Sequence, residues 1–289
     1  MINKILKKIR HYISSKKKVF FGSFELSLPL GHKLPVYLSV HKKYDQFLPF
    51  LVSFFGESEI VIDVGANCGD TVAAMAISNS KLKYVCIEPD TSFFEFLEKN
   101  TKSIESQLPE VKIKNLKYFV GSEVDSVSLD GVGGTKHAVL SKDITAIRSV
   151  SLDEIVKDKL KDFCPNESVR LIKSDVDGFD WDVLNSGKEL IARDLPMLYF
   201  ECQFDNLNQK NKYSELISYL NNNDYCWFAM FDNFGQVILR TSDTIIIENL
   251  FDYLWSQNVG ESTRTVYYYD ILAYTNKNHD FVNDVLSKY

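Results

Sequence analysis

The sequence lacks the cysteine patterns of metal-bound or disulfide-linked proteins. Its five cysteines are odd in number and scattered, with no CxxC pair and no Cys/His cluster. A disulfide framework and a structural zinc site both need grouped cysteines, so the pattern argues against both. Scattered cysteines are typical of a reducing compartment, and we expect the protein to be cytoplasmic.

Long apolar runs are also absent. No stretch approaches the roughly 20 consecutive apolar residues that a membrane-spanning helix needs. The N-terminus is basic but lacks the apolar segment of a secretory signal. With 289 residues, 45% of them hydrophobic and 25% charged, the chain has the composition of a globular protein with a substantial core.

Negative charge outweighs positive charge outside the N-terminus. The net charge is −6 and residues 1–18 contribute +7 to it, which leaves −13 for the rest of the chain. We therefore expect no nucleic-acid partner. In residues 1–18, apolar residues recur at helical spacing opposite the lysines, which predicts a basic amphipathic helix. Such a helix could pack on the main domain or on a partner protomer, or bind the inner face of an anionic membrane peripherally.

Apolar runs alternate with helical patterns from residue 59 onward. Strands are predicted over 59–65, 83–89, 113–121, 169–175 and 195–202, and helices over 71–80, 92–104, 180–192 and 212–223. Unbroken apolar strands that alternate with helices predict an α/β fold with a mostly parallel sheet, covered on both faces. Residues 225–240 predict a hairpin that adds a terminal antiparallel strand.

The chain divides into three predicted regions. Residues 1–55 form an N-terminal extension with the basic helix, a hairpin and a further helix. Residues 56–245 form the core, with an insertion at about 122–150 whose Asp-Gly and Gly-Gly turns predict another hairpin. Residues 246–289 form a helical C-terminal extension packed on the core, in which the Tyr-rich segment "TVYYYDILAY" predicts a strand.

The most specific motif is "VIDVGANCGD", residues 61–70, in which a buried strand runs into Asp63-x-Gly65-x-Asn67-x-Gly69 and then a helix. The glycines allow a tight turn and close approach of the backbone to a ligand. Acids at the strand end and helix start would repel a pyrophosphate and suit a cationic ligand. S-adenosylmethionine, which carries an ammonium and a sulfonium but no phosphate, fits this loop better than a dinucleotide.

Glu88 ends the next predicted strand, 25 residues after Asp63. A carboxylate at this position accepts hydrogen bonds from ribose hydroxyls in nucleotide-binding folds. NAD also uses such an acid, so Glu88 alone does not distinguish the two cofactors, whereas the glycine loop does.

In order and spacing, these motifs resemble the FkbM-type class I S-adenosylmethionine-dependent methyltransferases. The segments that carry the resemblance are "IDVGANCG" (62–69), "IEP" (87–89), "SLDEIV" (151–156), "LIKSDVDGFDWDVLNSG" (171–187) and "LYFEC" (198–202). The family pattern has glutamate where this chain has Asp177 and Asp180. The resemblance covers residues 59 to about 202 and implies the Rossmann-like class I methyltransferase fold.

The resemblance also implies the contacts with the cofactor. Asp63, Gly65 and Asn67 lie along its methionine part, with Gly69 closing the loop, and Glu88 binds the ribose. The Gly121-Ser122-Glu123 turn lies near the adenine.

Four aspartates stand close together in "SDVDGFDWD", residues 174–182. Asp175 ends a predicted strand where the fold brings side chains to the methyl group, and Asp177 follows in the same loop. Either could be the general base that deprotonates the acceptor hydroxyl, or both could hold a divalent cation that acidifies it. Lys173 shares their face along an extended backbone and could keep one carboxylate ionised.

Three further residues are candidates for binding the acceptor. Asp180 begins the next helix at a position that matches the family, whereas its neighbour Asp182 is expected to offset the helix dipole. Glu201 ends the fifth strand, and His137 lies in the insertion.

The sequence thus predicts an O-methyltransferase that acts on a small-molecule or glycan acceptor, at a hydroxyl of a sugar, polysaccharide or polyol natural product. The sugar rests on the resemblance, because the family occurs with surface-polysaccharide and natural-product pathways. One alternative is a non-catalytic cofactor-binding or scaffold module. Another is a glycosyltransferase with Asp175-Val176-Asp177 as a metal-binding DxD, which leaves the glycine loop and Glu88 unexplained.

Overall fold

The computed structural model describes residues 18–21, 24–122, 127–130, 137–140, 149–164, 167–259 and 264–289. The predicted basic helix lies outside these residues, so its packing and its membrane contact stay predictions. The predicted N-terminal hairpin is present as β1 (Lys18–Phe21) and β2 (Phe24–Ser27), which pair antiparallel. Helices α1 (Leu34–Val40) and α2 (Phe47–Val52) follow it.

Eight strands of the described chain form the central sheet, in the order β13-β12-β14-β11-β10-β3-β4-β5. In chain order these strands are β3 (Ile60–Val64), β4 (Lys83–Ile87), β5 (Lys112–Leu116), β10 (Val169–Ser174), β11 (Met197–Cys202), β12 (Trp227–Asp232), β13 (Val237–Thr241) and β14 (Tyr269–Tyr274). The pairs from β11 through β5 are parallel. The predicted α/β fold with a mostly parallel sheet is therefore confirmed.

The antiparallel end of the sheet is larger than the sequence predicted. The hairpin of residues 225–240 is present as β12 and β13, and β13 is the antiparallel edge. Strand β14 lies inside the sheet and runs antiparallel to both β11 and β12. Five of its six residues are buried, because it is covered on both faces and paired on both sides. The C-terminal segment thus contributes a strand to the sheet itself.

Helices cover both faces of the sheet. They are α3 (Asp70–Ser78), α4 (Thr91–Gln107), α5 (Leu152–Lys159), α6 (Asp180–Asn185), α7 (Lys188–Asp194), α8 (Leu207–Asn221), α9 (Thr244–Val259) and α10 (His279–Lys288), the last preceded by a 3-10 turn at Asn276–Asn278. Among the described residues, no helix is both long enough and apolar enough to cross a membrane.

The single helix predicted over 180–192 is two helices, α6 and α7. At Gly187 an added Cβ would lie 2.9 Å from Leu152 Cδ2, so α5 packs closely against the break. Asp153 then accepts hydrogen bonds from the backbone N–H groups of Glu189 (3.0 Å) and Leu190 (2.8 Å), which satisfies the first turn of α7. A residue of α5 therefore caps a helix that lies 35 positions later.

The predicted insertion contains the predicted hairpin. Short strands β6 (Phe119–Val120) and β9 (Ser149–Val150) pair parallel at its base. Strands β7 (Val127–Asp130) and β8 (His137–Leu140) pair antiparallel. His137 begins β8, and its side chain lies outside the described part of the structure.

The sheet separates two apolar cores, and β3 contributes to both. Ile62 and Val64 pack into one core, while Val61 packs into the other. Asp63 shares the face of Val61, because side chains alternate along a strand. That face lies beneath α2 and α3, whose Leu51 and Val72 belong to the same core. The polar end of β3 therefore opens toward the N-terminal segment.

Asn100 joins the N-terminal hairpin to the loop after β3. This buried residue of α4 donates hydrogen bonds to the carbonyl oxygens of Ser27 and Cys68, both at 2.8 Å. Its Oδ1 accepts a hydrogen bond from the Ser27 N–H, also at 2.8 Å.

We predict that Asn100→Ala lowers the free energy of unfolding by about 1–3 kcal/mol, because it leaves buried backbone groups without partners. Urea denaturation measures the change. Ser106→Ala, at an exposed position of the same helix, is the control and should change stability by less than about 0.5 kcal/mol. Equal stability of the two variants would refute the role of Asn100.

Candidate active site

Strand register places the predicted site residues in two rows at the carboxyl edge of the sheet. In the first row Asp63 lies opposite Lys173, and Lys173 lies opposite Tyr199 on β11. In the second row, two residues further along the strands, Glu201 lies opposite Asp270 on β14. The next residue of β10 on this face is Asp175.

Lys173 fixes the first row. Its Nζ lies 2.9 Å from Asp63 Oδ1 and 3.4 Å from Asp175 Oδ2, and it donates a 3.2 Å hydrogen bond to the Gly65 carbonyl oxygen. Burial lowers the pKa of Lys173, but Asp63 and Asp175 outweigh burial and raise the pKa well above its ordinary value. The predicted pairing of Lys173 with a carboxylate is confirmed. Since only 4% of Lys173 is exposed, it positions the two carboxylates.

The glycine loop depends on backbone conformations that side chains disfavour. Gly65 and Gly69 have φ of 79° and 82°, and Asn67 between them has φ of 46°. An added Cβ at Gly65 would overlap the Asp175 carbonyl oxygen. The loop after β3 is therefore packed directly against the end of β10.

Glu88 is held in place by backbone donors. Its Oε2 accepts a hydrogen bond from Asn67 N–H at 2.9 Å, and its Oε1 accepts one from Asp90 N–H at 2.8 Å. Burial raises the pKa of Glu88 to about 7, against the opposite effect of these hydrogen bonds. Each carboxylate oxygen has a second lone pair that could accept a hydrogen bond from a ribose hydroxyl.

The loop and Glu88 line one pocket. Apolar and aromatic residues form its opposite wall, and its lining consists of Val64, Gly65, Asn67, Glu88, Pro89, Asp90, Phe93, Tyr118, Phe119, Val120, Asp175, Val176 and Asp177. Asp63, immediately before this loop, has a buried Oδ2 with no hydrogen-bond partner. A cationic nucleoside derivative matches a pocket that combines a glycine turn, the Glu88 carboxylate and aromatic residues, next to the unsatisfied carboxylate of Asp63. The residues present therefore fit S-adenosylmethionine.

Asp182 has a role that the sequence did not reveal. It lies in the first turn of α6, but its carboxylate accepts hydrogen bonds from Ser122 N–H at 3.0 Å and Ser122 Oγ at 2.9 Å. Asp182 is buried, and a Cβ at Gly121 would overlap it. Asp182 therefore anchors the Gly121-Ser122 turn, in addition to its predicted place in the first turn of the helix.

Asp180 is fully buried and supports the adjacent loop. Its Oδ1 accepts hydrogen bonds from Ser174 Oγ at 2.6 Å and Val176 N–H at 3.2 Å, and its Oδ2 accepts one from the Tyr213 hydroxyl at 3.3 Å. Burial raises its pKa to about 7. The expectation that Asp180 binds the acceptor is not met, because these contacts enclose it beneath the loop.

Asp177 does not continue the face of Lys173 and Asp175. Its φ is 53° and that of Gly178 is 92°, so the extended alternation assumed from the sequence ends after Asp175. Within the described residues, no group of three or more His, Cys, Asp or Glu side chains could hold a metal ion. The divalent cation considered for Asp175 and Asp177 therefore has no support.

Asp45 was missed from the sequence. It lies in the loop between α1 and α2, where Asp70, at the start of α3, and Asp175 act on it electrostatically. Desolvation, and then Asp70 and Asp175, raises the pKa of Asp45 above its ordinary value, although the residue is exposed. The only sequence signal for Asp45 is a polar pair, Tyr44-Asp45, between two apolar segments.

The family profile described as "Methyltransferase FkbM domain" matches residues 63–226, more than half of the chain. A search of curated proteins found no match.

Solved structures show weaker likeness. Methyltransferase FkbM from Methylobacillus flagellatus KT aligns with a TM-score of 0.46 and 12% identity, over 84% of this chain and 59% of that one. The chain thus spans less than two thirds of that protein. The human methyltransferase 10 domain containing protein aligns with a TM-score of 0.42 and 11% identity, over 94% and 97% of the two chains. The plantazolicin methyltransferase BpumL was solved with a triazolic desmethylPZN analog and SAH. It aligns with a TM-score of 0.41 and 8% identity, over 84% of this chain and 90% of that one.

The profile match begins at Asp63, the residue with which the glycine loop opens, and it includes Glu88, the aspartate-rich loop and Glu201. The chain belongs to the FkbM methyltransferase family.

Proposed function

We propose that the protein is an O-methyltransferase that methylates a hydroxyl of a sugar, polysaccharide or polyol natural product. The observation that carries the proposal is the position of Asp175. Its side chain is 49% exposed, it is held by Lys173, and its backbone packs against the cofactor loop at Gly65. A carboxylate that is fixed at one end and accessible at the other suits proton removal from a bound hydroxyl.

The cofactor site would orient S-adenosylmethionine through contacts along its length. When bound, S-adenosylmethionine offers an electrophilic methyl group on a positively charged sulfur. Glu88 would accept hydrogen bonds from the ribose hydroxyls. Asp63, with its buried unpartnered Oδ2, would attract the positive charge of the cofactor. The turn at Gly121 and Ser122, anchored by Asp182, would border the adenine.

Asp175 would act on the acceptor. Asp175 would accept the hydroxyl proton as the hydroxyl oxygen takes the methyl group, which the bound cofactor would release from its sulfur. Such a transfer requires the two reacting atoms to be held at about 3–3.5 Å. The 3.4 Å ion pair with Lys173 favours one orientation of the Asp175 carboxylate. The choice of a hydroxyl on a sugar or polyol rests on the family resemblance, and deprotonation by a carboxylate without a metal rests on the residues described above.

We predict that cofactor binding depends on the ionisation of Glu88. Its pKa of about 7 means that lowering the pH from 8 to 6 protonates it, so affinity for S-adenosylmethionine should fall by about tenfold over this range. Calorimetric titration of the intact chain at both pH values measures this change.

Glu88→Gln is the matched variant for this prediction. It should bind the cofactor more weakly at pH 8 and lose most of the pH dependence, while Asp45, Asp180 and the cofactor's own amino group still titrate. An unchanged pH dependence in the variant would exclude Glu88 as its source, and no binding by the unmodified protein would overturn the cofactor site.

We predict that Gly65→Ala weakens cofactor binding by at least about tenfold, because the added Cβ pushes the loop away from Asp175. Gly31→Ala is a matched control: Gly31 has a similar φ of 85°, but nothing lies within 4 Å of its added Cβ. The control therefore shares the backbone strain without the overlap. Equal cofactor affinity of the two variants would show that close packing at Gly65 is not required.

We predict that Asp175→Asn lowers kcat by about 10²–10⁴-fold, the usual contribution of a general base, with a smaller effect on cofactor affinity. Asp177→Asn, in the same loop but off the Lys173 face, should have a weaker effect. Mass spectrometry of methylated product from a candidate glycan measures turnover. Full turnover by Asp175→Asn, or loss of wild-type turnover in EDTA, would contradict direct base catalysis by Asp175.

A further inference from the structure

The carboxylate row continues beyond Asp175, away from the cofactor loop. Glu201 on β11 and Asp270 on β14 lie opposite each other in register. Neighbouring strands are about 4.8 Å apart, and β14 is three strands from β3. Asp270 therefore lies roughly 14 Å from the cofactor loop along the row, too far to act on the sulfonium directly.

Negative charge from separate parts of the chain gathers at this end. Asp45 and Asp175 act electrostatically on Asp270, and Asp175, Asp177 and Asp270 act on Glu201. Lys173 is the positive charge that opposes Asp270, and it is already in contact with Asp63 and Asp175. The described residues thus leave this end of the cleft with an excess of negative charge.

Glu201 provides an independent sign of a ligand. Only 8% of the residue is exposed, and its buried Oε1 has no hydrogen-bond partner. A buried carboxyl oxygen without a partner costs free energy unless a bound group satisfies it. Burial, and then the neighbouring carboxylates Asp175 and Asp177, raises the pKa of Glu201 well above its usual range.

Asp270 lies opposite Glu201 and would contact the same ligand. Burial, and then Asp175 and Asp45, raises the pKa of Asp270 well above its usual range, and a hydrogen bond from the Tyr199 hydroxyl offsets this only in part. A cationic group placed between Glu201 and Asp270 would satisfy Glu201 Oε1 and offset the repulsion between the two acids. Among the described residues, Glu201 and Asp270 are not part of a group of three or more His, Cys, Asp or Glu side chains that could hold a metal ion.

We propose that the methyl acceptor carries a protonated amino group, that Glu201 and Asp270 bind this ammonium, and that a hydroxyl of the same molecule lies beside Asp175. The proposal rests on the proposed function, because it assigns the acceptor of the same site. It names the substrate class as amino-bearing sugars or polyols. Acceptors that carry a carboxylate or a phosphate near the hydroxyl are disfavoured by the same charges.

Three polyols of matched carbon skeleton test the proposal. They are 1-amino-1-deoxysorbitol, which is cationic at pH 7.5, sorbitol, which is neutral, and gluconate, which is anionic. Binding to the full chain is measured by saturation-transfer NMR in the presence of S-adenosylhomocysteine. We expect the amine to bind about tenfold more tightly than sorbitol, as one charge-assisted hydrogen bond would provide, and gluconate to bind least.

The double variant Glu201→Gln/Asp270→Asn should lose this preference for the amine. Glu189→Gln/Asp205→Asn, at two exposed positions, changes the net charge equally and should keep the preference. Cofactor titration of each variant shows whether it is folded. Removal of two repelling acids should leave cofactor affinity within about threefold of wild type.

The proposal is overturned if the amine does not bind, if sorbitol or gluconate binds as tightly as the amine, or if the preference survives in the Glu201/Asp270 variant. In each case intact cofactor binding would leave the methyltransferase function standing. Absence of cofactor binding in the unmodified protein would instead remove the proposed function itself.

Discussion

The buried ion pair between Lys173 and Asp63 is the interaction on which the site depends. It joins the central strands β3 and β10 at 2.9 Å, and Lys173 also contacts the Gly65 carbonyl oxygen and the Asp175 carboxylate. One ammonium thus fixes the cofactor loop and the residue proposed as the base relative to each other. Because loss of one partner leaves an unpaired buried charge, a substitution at either residue would strongly destabilise the fold. Cofactor orientation and base position are therefore coupled to stability.

Two acids of the site retain protons because they are buried. Burial raises the folded-state pKa of Glu88 and of Asp180 to about 7. Because these values lie above those of the unfolded chain, the two groups favour the folded state fully below about pH 4, and this contribution is lost as the pH rises through 7. The acid proposed to bind the ribose and the acid that supports the loop after β10 therefore oppose folding when they ionise.

The sequence revealed local relations well. We could predict strand β3, the glycine turn after it and the role of Glu88 as a strand-end acid. Their sequence signals, a β-branched run, glycines and an acid, lie within 30 residues of one another. The contacts that complete the site are long-range and have no local pattern. Asp182 accepts a hydrogen bond from Ser122, which is 60 positions earlier in the chain. Asp270 lies opposite Glu201 only because β14 pairs with β11 in the sheet. The tyrosine-rich segment around β14 predicted a strand but not its neighbours.

The aspartate-rich loop shows how backbone conformation assigns different roles to one residue type. Asp175 continues the extended backbone of β10, whereas Asp177 has φ of 53° and leaves that alternation, although both residues line the same pocket. Aspartate tolerates this left-handed region better than glutamate, since its short polar side chain can hydrogen-bond locally. At 180 the carboxylate meets Ser174 at 2.6 Å inside a closed space, where an additional methylene would have to displace the loop. Of the two positions at which this chain has aspartate instead of the family's glutamate, one lies where the loop bends and the other where the carboxylate is enclosed. The shorter side chain is the one that this loop conformation accommodates.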